Sequence, residues 1–237
     1  MPPGADIASQ LQDVRRRIDA AAHRSHRSSA DIQLVAVSKT FPPEAVREAA
    51  RAGQRAFGEN KVQEALDKQP SLADLDLEWH LIGHLQSNKA KKAAPAFACI
   101  ESIDSLPLLQ KIDAAARDAG VRPRVLIQVD LAGEATKHGA TEDDVMTIVE
   151  AATRAPGVDL QGLMILPPFP DNPEDSRPWF RRLRDLRDRL VGRGVDPSVL
   201  RHLSMGMSHD FEVAIEEGST IVRVGTAIFG KRAPGAA

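Results

Sequence analysis

The chain of 237 residues has no tyrosine and a single cysteine, Cys99. One thiol excludes an internal disulfide and any cysteine-rich metal site, and it suits a reducing compartment. No apolar run approaches the roughly 18 to 20 residues that a membrane span requires, and the N-terminus lacks the apolar core of a secretory signal. A formal net charge of −2 offers no basic field for nucleic acid or for an anionic membrane surface. These absences lead to the expectation of a cytoplasmic protein with neither nucleic acid nor a membrane among its partners.

What is present is a regular alternation of short apolar segments and helical patterns. Strands are expected at 34–37, 55–58, 77–82, 97–100, 125–129, 160–166, 199–203 and 220–224, each a short apolar run of the kind buried on both faces of a parallel sheet. Helices are expected between them at 42–52, 60–69, 105–119, 142–153, 179–191 and 208–217, with a short basic helix after residue 88. An opening helical segment over 5–30 carries the stripe Ile7, Leu11, Val14 and Ile18. Eight strands alternating with helices in a chain of this length favour a closed (β/α)8 TIM barrel with an extra N-terminal helix, one domain spanning 1–237. Right-handed crossovers then place all eight strand-to-helix loops on one face.

The chemistry-bearing residues fall on that face. Lys39 stands at the carboxyl end of the first strand, where an amine beside apolar walls becomes a Schiff-base nucleophile, although a solvated surface lysine is an equal reading of this residue alone. In barrels of this kind the loops after strands seven and eight often build a phosphate site. Here they read Ser204-Met205-Gly206-Met207-Ser208, small residues and a glycine leading into a helix start, and Gly225-Thr226-Ala227, another glycine and hydroxyl pair. Arg223 shares a strand face with Gly225, and an arginine in an apolar strand needs either a buried carboxylate or a ligand to accept its hydrogen bonds. Barrel closure makes the first and eighth strands neighbours, so an amine, an arginine and an anion cradle converge. That set suits pyridoxal 5′-phosphate: aldehyde to Lys39, ring nitrogen to Arg223, phosphate to the glycine loops.

Beyond this convergence the motifs are specific. Ala36-Val37-Ser38-Lys39, Phe57-Gly58-Glu59-Asn60-Lys61-Val62-Gln63-Glu64, Trp79-His80-Leu81-Ile82-Gly83-His84-Leu85-Gln86-Ser87-Asn88-Lys89, Gly162-Leu163-Met164, Ser204 to Ser208 and Arg223 to Gly230 resemble the pyridoxal phosphate homeostasis protein family over about residues 7–231. The resemblance implies a barrel similar to the N-terminal domain of alanine racemase, with Lys39 carrying the Schiff base. It also implies Arg223 at the pyridine nitrogen, Ser204, Gly225 and Thr226 at the phosphate, and Asn60 and Met164 lining the site.

A carrier is favoured over a racemase. A cation at the ring nitrogen weakens the electron sink that carbanion chemistry uses. A racemase also needs an acid/base on each cofactor face; in the racemase family one is a tyrosine from a second domain, for which the seven residues after Gly230 leave no room. His84, His138, His202 and His209 are the alternative proton carriers. The expected function is reversible binding of pyridoxal 5′-phosphate for buffering or delivery, with apo-enzymes that use the cofactor as partners and a monomeric state. The alternatives are a fold-type III racemase-like enzyme of low activity and a barrel aldolase or isomerase acting on a phosphosugar. No metal site is expected, since His80 and His84 on an extended segment lie roughly 13 Å apart.

Overall fold

The computed structural model describes residues 6–133 and 138–230. Its strands are β1 (Gln33–Val37), β2 (Ala56–Glu59), β3 (Glu78–Leu81), β4 (Cys99–Ile103), β5 (Arg124–Val129), β6 (Asp159–Ile165), β7 (His202–Met207) and β8 (Ile221–Val224). They pair in chain order, all in parallel, and the circle closes through β1 and β8 with Gln33 opposite Ile221 and Val35 opposite Arg223. The helices are α1 (Ile7–Arg24), α2 (Pro43–Arg51), α3 (Val62–Lys68), α4 (Ala90–Ala96), α5 (Leu106–Ala119), α6 (Glu142–Arg154), α7 (Arg177–Gly192), α8 (Phe211–Glu216) and α9 (Thr226–Phe229). Each helix after α1 follows a strand, which makes the (β/α)8 barrel with an added N-terminal helix. No helix of the described residues is long and apolar enough to cross a membrane.

Helix α1 shows how the sequence pattern becomes packing. Asp6 caps it by accepting from the Ser9 N–H at 2.7 Å, and its stripe of Leu11, Val14, Ile18 and Ala21 is fully buried. The flank of that stripe ties down to α8, through Arg17 to Glu212 at 2.9 Å and Arg24 to Glu216 at 2.8 Å. A second apolar layer lies inside the barrel, where Val35, Ala56, Cys99, Leu126, Met164 and Ile221 form their own buried cluster. Residues of six strands meet there, so the barrel is a packed core rather than a pore.

Two strands differ from the sequence expectation. The strand expected at 199–203 starts late and runs on: Pro197–Leu200 is a 3-10 turn capped by Asp196, and β7 begins at His202 and continues through Met207. The expected β4 at 97–100 is likewise displaced. Phe97 ends α4, and the strand runs on through the buried Glu101 and Ser102. The eighth helix is shorter than the 208–217 expected, and α9 was not expected at all.

Candidate functional site at the carboxyl end of the barrel

A cavity of about 680 Å³ opens at the carboxyl ends of the strands. Lys39 lines it from the turn after β1, and Arg223, Gly225 and Thr226 line it from β8 and its loop. The parallel pairing of β1 with β8 is what brings these residues, from the two ends of the barrel sequence, to one space. Gly225 is required there, because a Cβ at that position would lie 3.2 Å from both Cβ and O of Val37. Asn60 enters from the loop after β2, and Ile82 and His84 from the loop after β3. Leu166 and Phe169 complete the wall from the segment after β6.

Arg223 is a buried cation, 2% exposed, and of the two acceptors expected for it the structure shows the buried carboxylate. It borders the cavity, and it also has a carboxylate. Its Nη1 donates to Ser204 Oγ, its Nη2 donates to Ile165 O at 2.8 Å, and Ser204 Oγ donates onward to Glu101 Oε2 at 2.5 Å. Glu101 lies 3.9 Å from Arg223 and accepts from His80 Nδ1 at 2.7 Å, while His80 Nε2 meets Glu78 at 2.6 Å. The chain ends on Arg124, which donates to Glu78. Thus a line of polar side chains crosses the barrel interior. Burial pushes the Arg223 guanidinium down from its ordinary pKa, with Glu101 and Asp210 opposing. Burial also works against charge on His80, yet Cys99, Glu101 and Glu78 around it lift its pKa well above the ordinary imidazole value. The Glu101 carboxyl is held low despite its burial by His80, Arg223 and Ser204.

At the other side of Arg223 the loop after β7 meets the start of α9. Ser208 Oγ accepts from the Gly225 N–H at 3.1 Å and from the Ala227 N–H at 3.3 Å. These donors, with the Thr226 hydroxyl beside them, are the kind of set an oxyanion uses. His209 also borders the cavity, and its Nε2 is buried without a hydrogen-bond partner among the described residues.

Five of the sequence-derived residues, Lys39, Asn60, Arg223, Gly225 and Thr226, therefore line one cavity. Ser204 and Met164 do not. Because β7 extends past the expected position, Ser204 sits inside the strand with its hydroxyl engaged by Glu101 and Arg223, and Met164 is part of the apolar layer within the barrel. Of the four histidines named as alternative proton carriers, His84 and His209 border the cavity. Ser208 and Phe169 were missed as lining residues: Ser208 was within reach of sequence reasoning, since it closes the loop that had been singled out, whereas Phe169 lies in a loop whose direction no periodicity reveals.

The two histidines weighed as a metal pair fall in different clusters, since β3 ends at Leu81 and His84 lies beyond it. His80 is enclosed with Cys99 and Glu101. His84 Nδ1 lies 3.1 Å from Asp104 and its ring stacks on His138 at 3.5 Å, so that His84, Asp104 and His138 bring donor atoms within 4.8 Å of one another at the cavity rim. A divalent ion could draw on that set; in the structure the carboxylate and the stacked ring already satisfy His84.

Comparison with known proteins follows the same geometry. Residues 10–233 match the family described as alanine racemase, N-terminal domain. The chain is 47% identical over 227 residues to the pyridoxal phosphate homeostasis protein of Aquifex aeolicus, covering 96% of this chain and 99% of that one. It is 46% identical over 231 residues to the protein of the same name from Pseudomonas aeruginosa, covering 97% of each. The solved structure of PipY from Synechococcus elongatus with PLP bound superposes with a TM-score of 0.84 at 39% identity, covering 95% of this chain and all of that one. Alanine racemase from Clostridium difficile shares the fold alone, at 17% identity and a TM-score of 0.72. The expected resemblance is thereby established: this chain belongs to the pyridoxal phosphate homeostasis protein family, within the wider set of alanine racemase N-terminal domains.

Proposed function

We propose that this protein binds pyridoxal 5′-phosphate in the cavity at the carboxyl end of the barrel, holds it reversibly on Lys39, and serves to buffer or deliver it to apo-enzymes that use it. The names of the relatives and the PLP-bound neighbour support the ligand. The observation that carries the reading in this chain is the placement of Arg223, an anchored buried cation, in one cavity with Lys39 and the Ser208, Gly225, Thr226 and Ala227 donors.

The residues fit the group. Lys39 would hold the group through its amine, a C=N bond to an aldehyde carbon forming as one water leaves and being reversed by hydrolysis or exchange with another amine. Arg223 would meet the ring nitrogen as a donor. A donor that keeps its own proton leaves a ring nitrogen unprotonated, so the ring supplies a weak electron sink and favours holding over carbanion chemistry. Ser208, Thr226 and the N–H groups of Gly225 and Ala227 take the phosphate, and the orphaned Nε2 of His209 gives the cavity wall a further polar atom to be satisfied. Asn60 contributes from the opposite wall.

The absorbance spectrum of the purified protein with pyridoxal 5′-phosphate, before and after borohydride, tests this. The expected result is a visible imine band abolished by reduction, with the added mass on the peptide containing Lys39 and none in Lys39→Ala. A colourless protein, or a modified lysine elsewhere, overturns the reading. A second reading, a weak racemase-like enzyme, is favoured by one observation: His84, backed by Asp104, borders the same cavity and has the form of an acid/base pair. Exchange of α-deuterium in amino acids, lost in both Lys39→Ala and His84→Gln, would select it; cofactor transfer to an apo-enzyme without exchange selects the carrier.

A further inference from the structure

The turn that presents Lys39 is gripped on both sides of that residue. Ser38 continues the β1 ladder, its N–H donating to Gly58 O at 3.0 Å, and the Phe41 N–H returns to Ser38 O at 3.0 Å. Lys39 and Thr40 are the two central residues of this turn. Thr40 takes φ +68°, the left-handed region where a β-branched side chain is strained and where glycine or asparagine is the usual occupant.

Three ionisable groups converge behind the turn. Lys68 Nζ, on α3, donates to Ser38 O at 2.9 Å, to Glu59 Oε1 at 2.8 Å and to Glu64 Oε1 at 2.7 Å. Ser38 Oγ donates to Glu59 Oε1 at 2.7 Å, and the Thr40 N–H donates to Glu64 Oε1. Lys68 thereby uses all three of its protons. Lys68 is 6% exposed and Glu59 is fully buried, and neither these two nor Glu64 lines the cavity. Burial lifts the Glu59 pKa, with Lys68 and Ser38 holding it back. An enclosed cluster of this kind is no more stabilising than apolar side chains of the same volume, so stability alone does not account for it. Its bonds to the main chain and to Ser38 all fall on the residues immediately before and after Lys39.

We propose that Lys68, Glu59 and Glu64 are positioning residues for Lys39: they hold Ser38 and Thr40 in a turn that would otherwise relax, and so keep the Lys39 amine directed at the cavity. The inference rests on the reading of Lys39 as the imine-forming residue. None of the three touches the ligand; they act through the backbone.

The test is a double-mutant cycle on Glu64 and Thr40, with pyridoxal 5′-phosphate as the probe. Glu64 is partly exposed, so Glu64→Gln is accommodated in the fold. The expected result is imine formation about tenfold weaker than in the wild type, the scale by which a hydrogen bond to a charged acceptor exceeds one to a neutral amide oxygen. The Thr40 amide, followed by hydrogen exchange in the cofactor-free protein, should exchange about tenfold faster. In a Thr40→Gly background, where positive φ carries no strain, the same Glu64→Gln change should alter imine formation by less than about twofold. An equal loss in both backgrounds overturns the proposal, because Glu64 would then act independently of the turn. Unchanged binding and unchanged Thr40 exchange in Glu64→Gln overturn it as well. A wild-type protein that forms no imine refutes the proposed function instead, and the exchange measurement still decides whether the cluster holds the turn.

Discussion

The guanidinium of Arg223 and the carboxylate of Glu101 stand 3.9 Å apart inside the barrel, with the Ser204 hydroxyl hydrogen-bonded to both. Both are almost fully buried; Glu101 is the main compensation for the charge of Arg223, while Glu101 itself is held first by His80 and then by Arg223. Glu101→Gln should destabilise the protein by about 3 to 5 kcal/mol, the penalty of leaving a buried charge uncompensated. The Glu101→Gln/Arg223→Gln double variant should lose less than the sum of the two single losses. Urea unfolding of the four proteins measures both quantities, and strict additivity would show that the two residues do not act as a pair.

Glu217 collects three arginines of α7: Arg177 at 3.0 Å, Arg181 at 2.9 Å and Arg184 at 3.0 Å. Burial favours its neutral form, but hydrogen bonds from Arg181 and Arg177 and the charge of Arg184 hold its pKa below the ordinary carboxylate value. A depressed carboxylate contributes stability that is present above its unfolded pKa of about 4.3 and is lost as pH falls through the lower folded value. Wild type should therefore exceed Glu217→Gln by about 2 kcal/mol at neutral pH. The gap should hold down to about pH 4.5 and close below it. Thermal unfolding of both proteins across that range checks the sign; a gap that widens on acidification contradicts it.

Gly225→Ala places a methyl group 3.2 Å from the backbone oxygen of Val37 in β1, an atom held in the sheet. About 1 to 2 kcal/mol of stability should be lost. Because the same residue lines the cavity beside Lys39, loading with pyridoxal 5′-phosphate should weaken together with the melting temperature. Retention of wild-type loading in the alanine variant would separate the glycine from the site.

Gly162→Ala is a stricter case. A Cβ at residue 162 would lie 1.9 Å from the carbonyl oxygen of His202, between β6 and β7, where no side-chain motion can relieve the overlap. Loss of folded protein, read from the near-ultraviolet circular dichroism of the two tryptophans, is the expected outcome. A folded alanine variant would mean that the strands can separate locally.

The barrel was legible because its outer layer is apolar and periodic. The α1 stripe and the runs of β1, β5 and β6 fall within a residue or two of expectation for that reason. The reading faltered where strands carry polar residues inward. Glu101 in β4 and Ser204 in β7 are poor strand formers, and the tertiary network they make with Arg223 stabilises them there. Nearby Val199 and Leu200, which have the stronger strand preference, are instead taken up by a turn that Asp196 caps. The charged cluster behind Lys39 was hidden for a related reason: Glu64 and Lys68, four residues apart on a helix, read as an ordinary solvated pair, and no one-dimensional pattern reports that Lys68 is turned toward Ser38.

The joining of β1 to β8 makes the candidate site straddle the seam of the cylinder, with the amine on one lip and the guanidinium on the other. A small molecule gripped from both lips works as a clasp. On the proposed function, a ligand held across the seam binds the closed cylinder in preference to the open chain, and by mass action it shifts the population toward molecules whose seam is zipped.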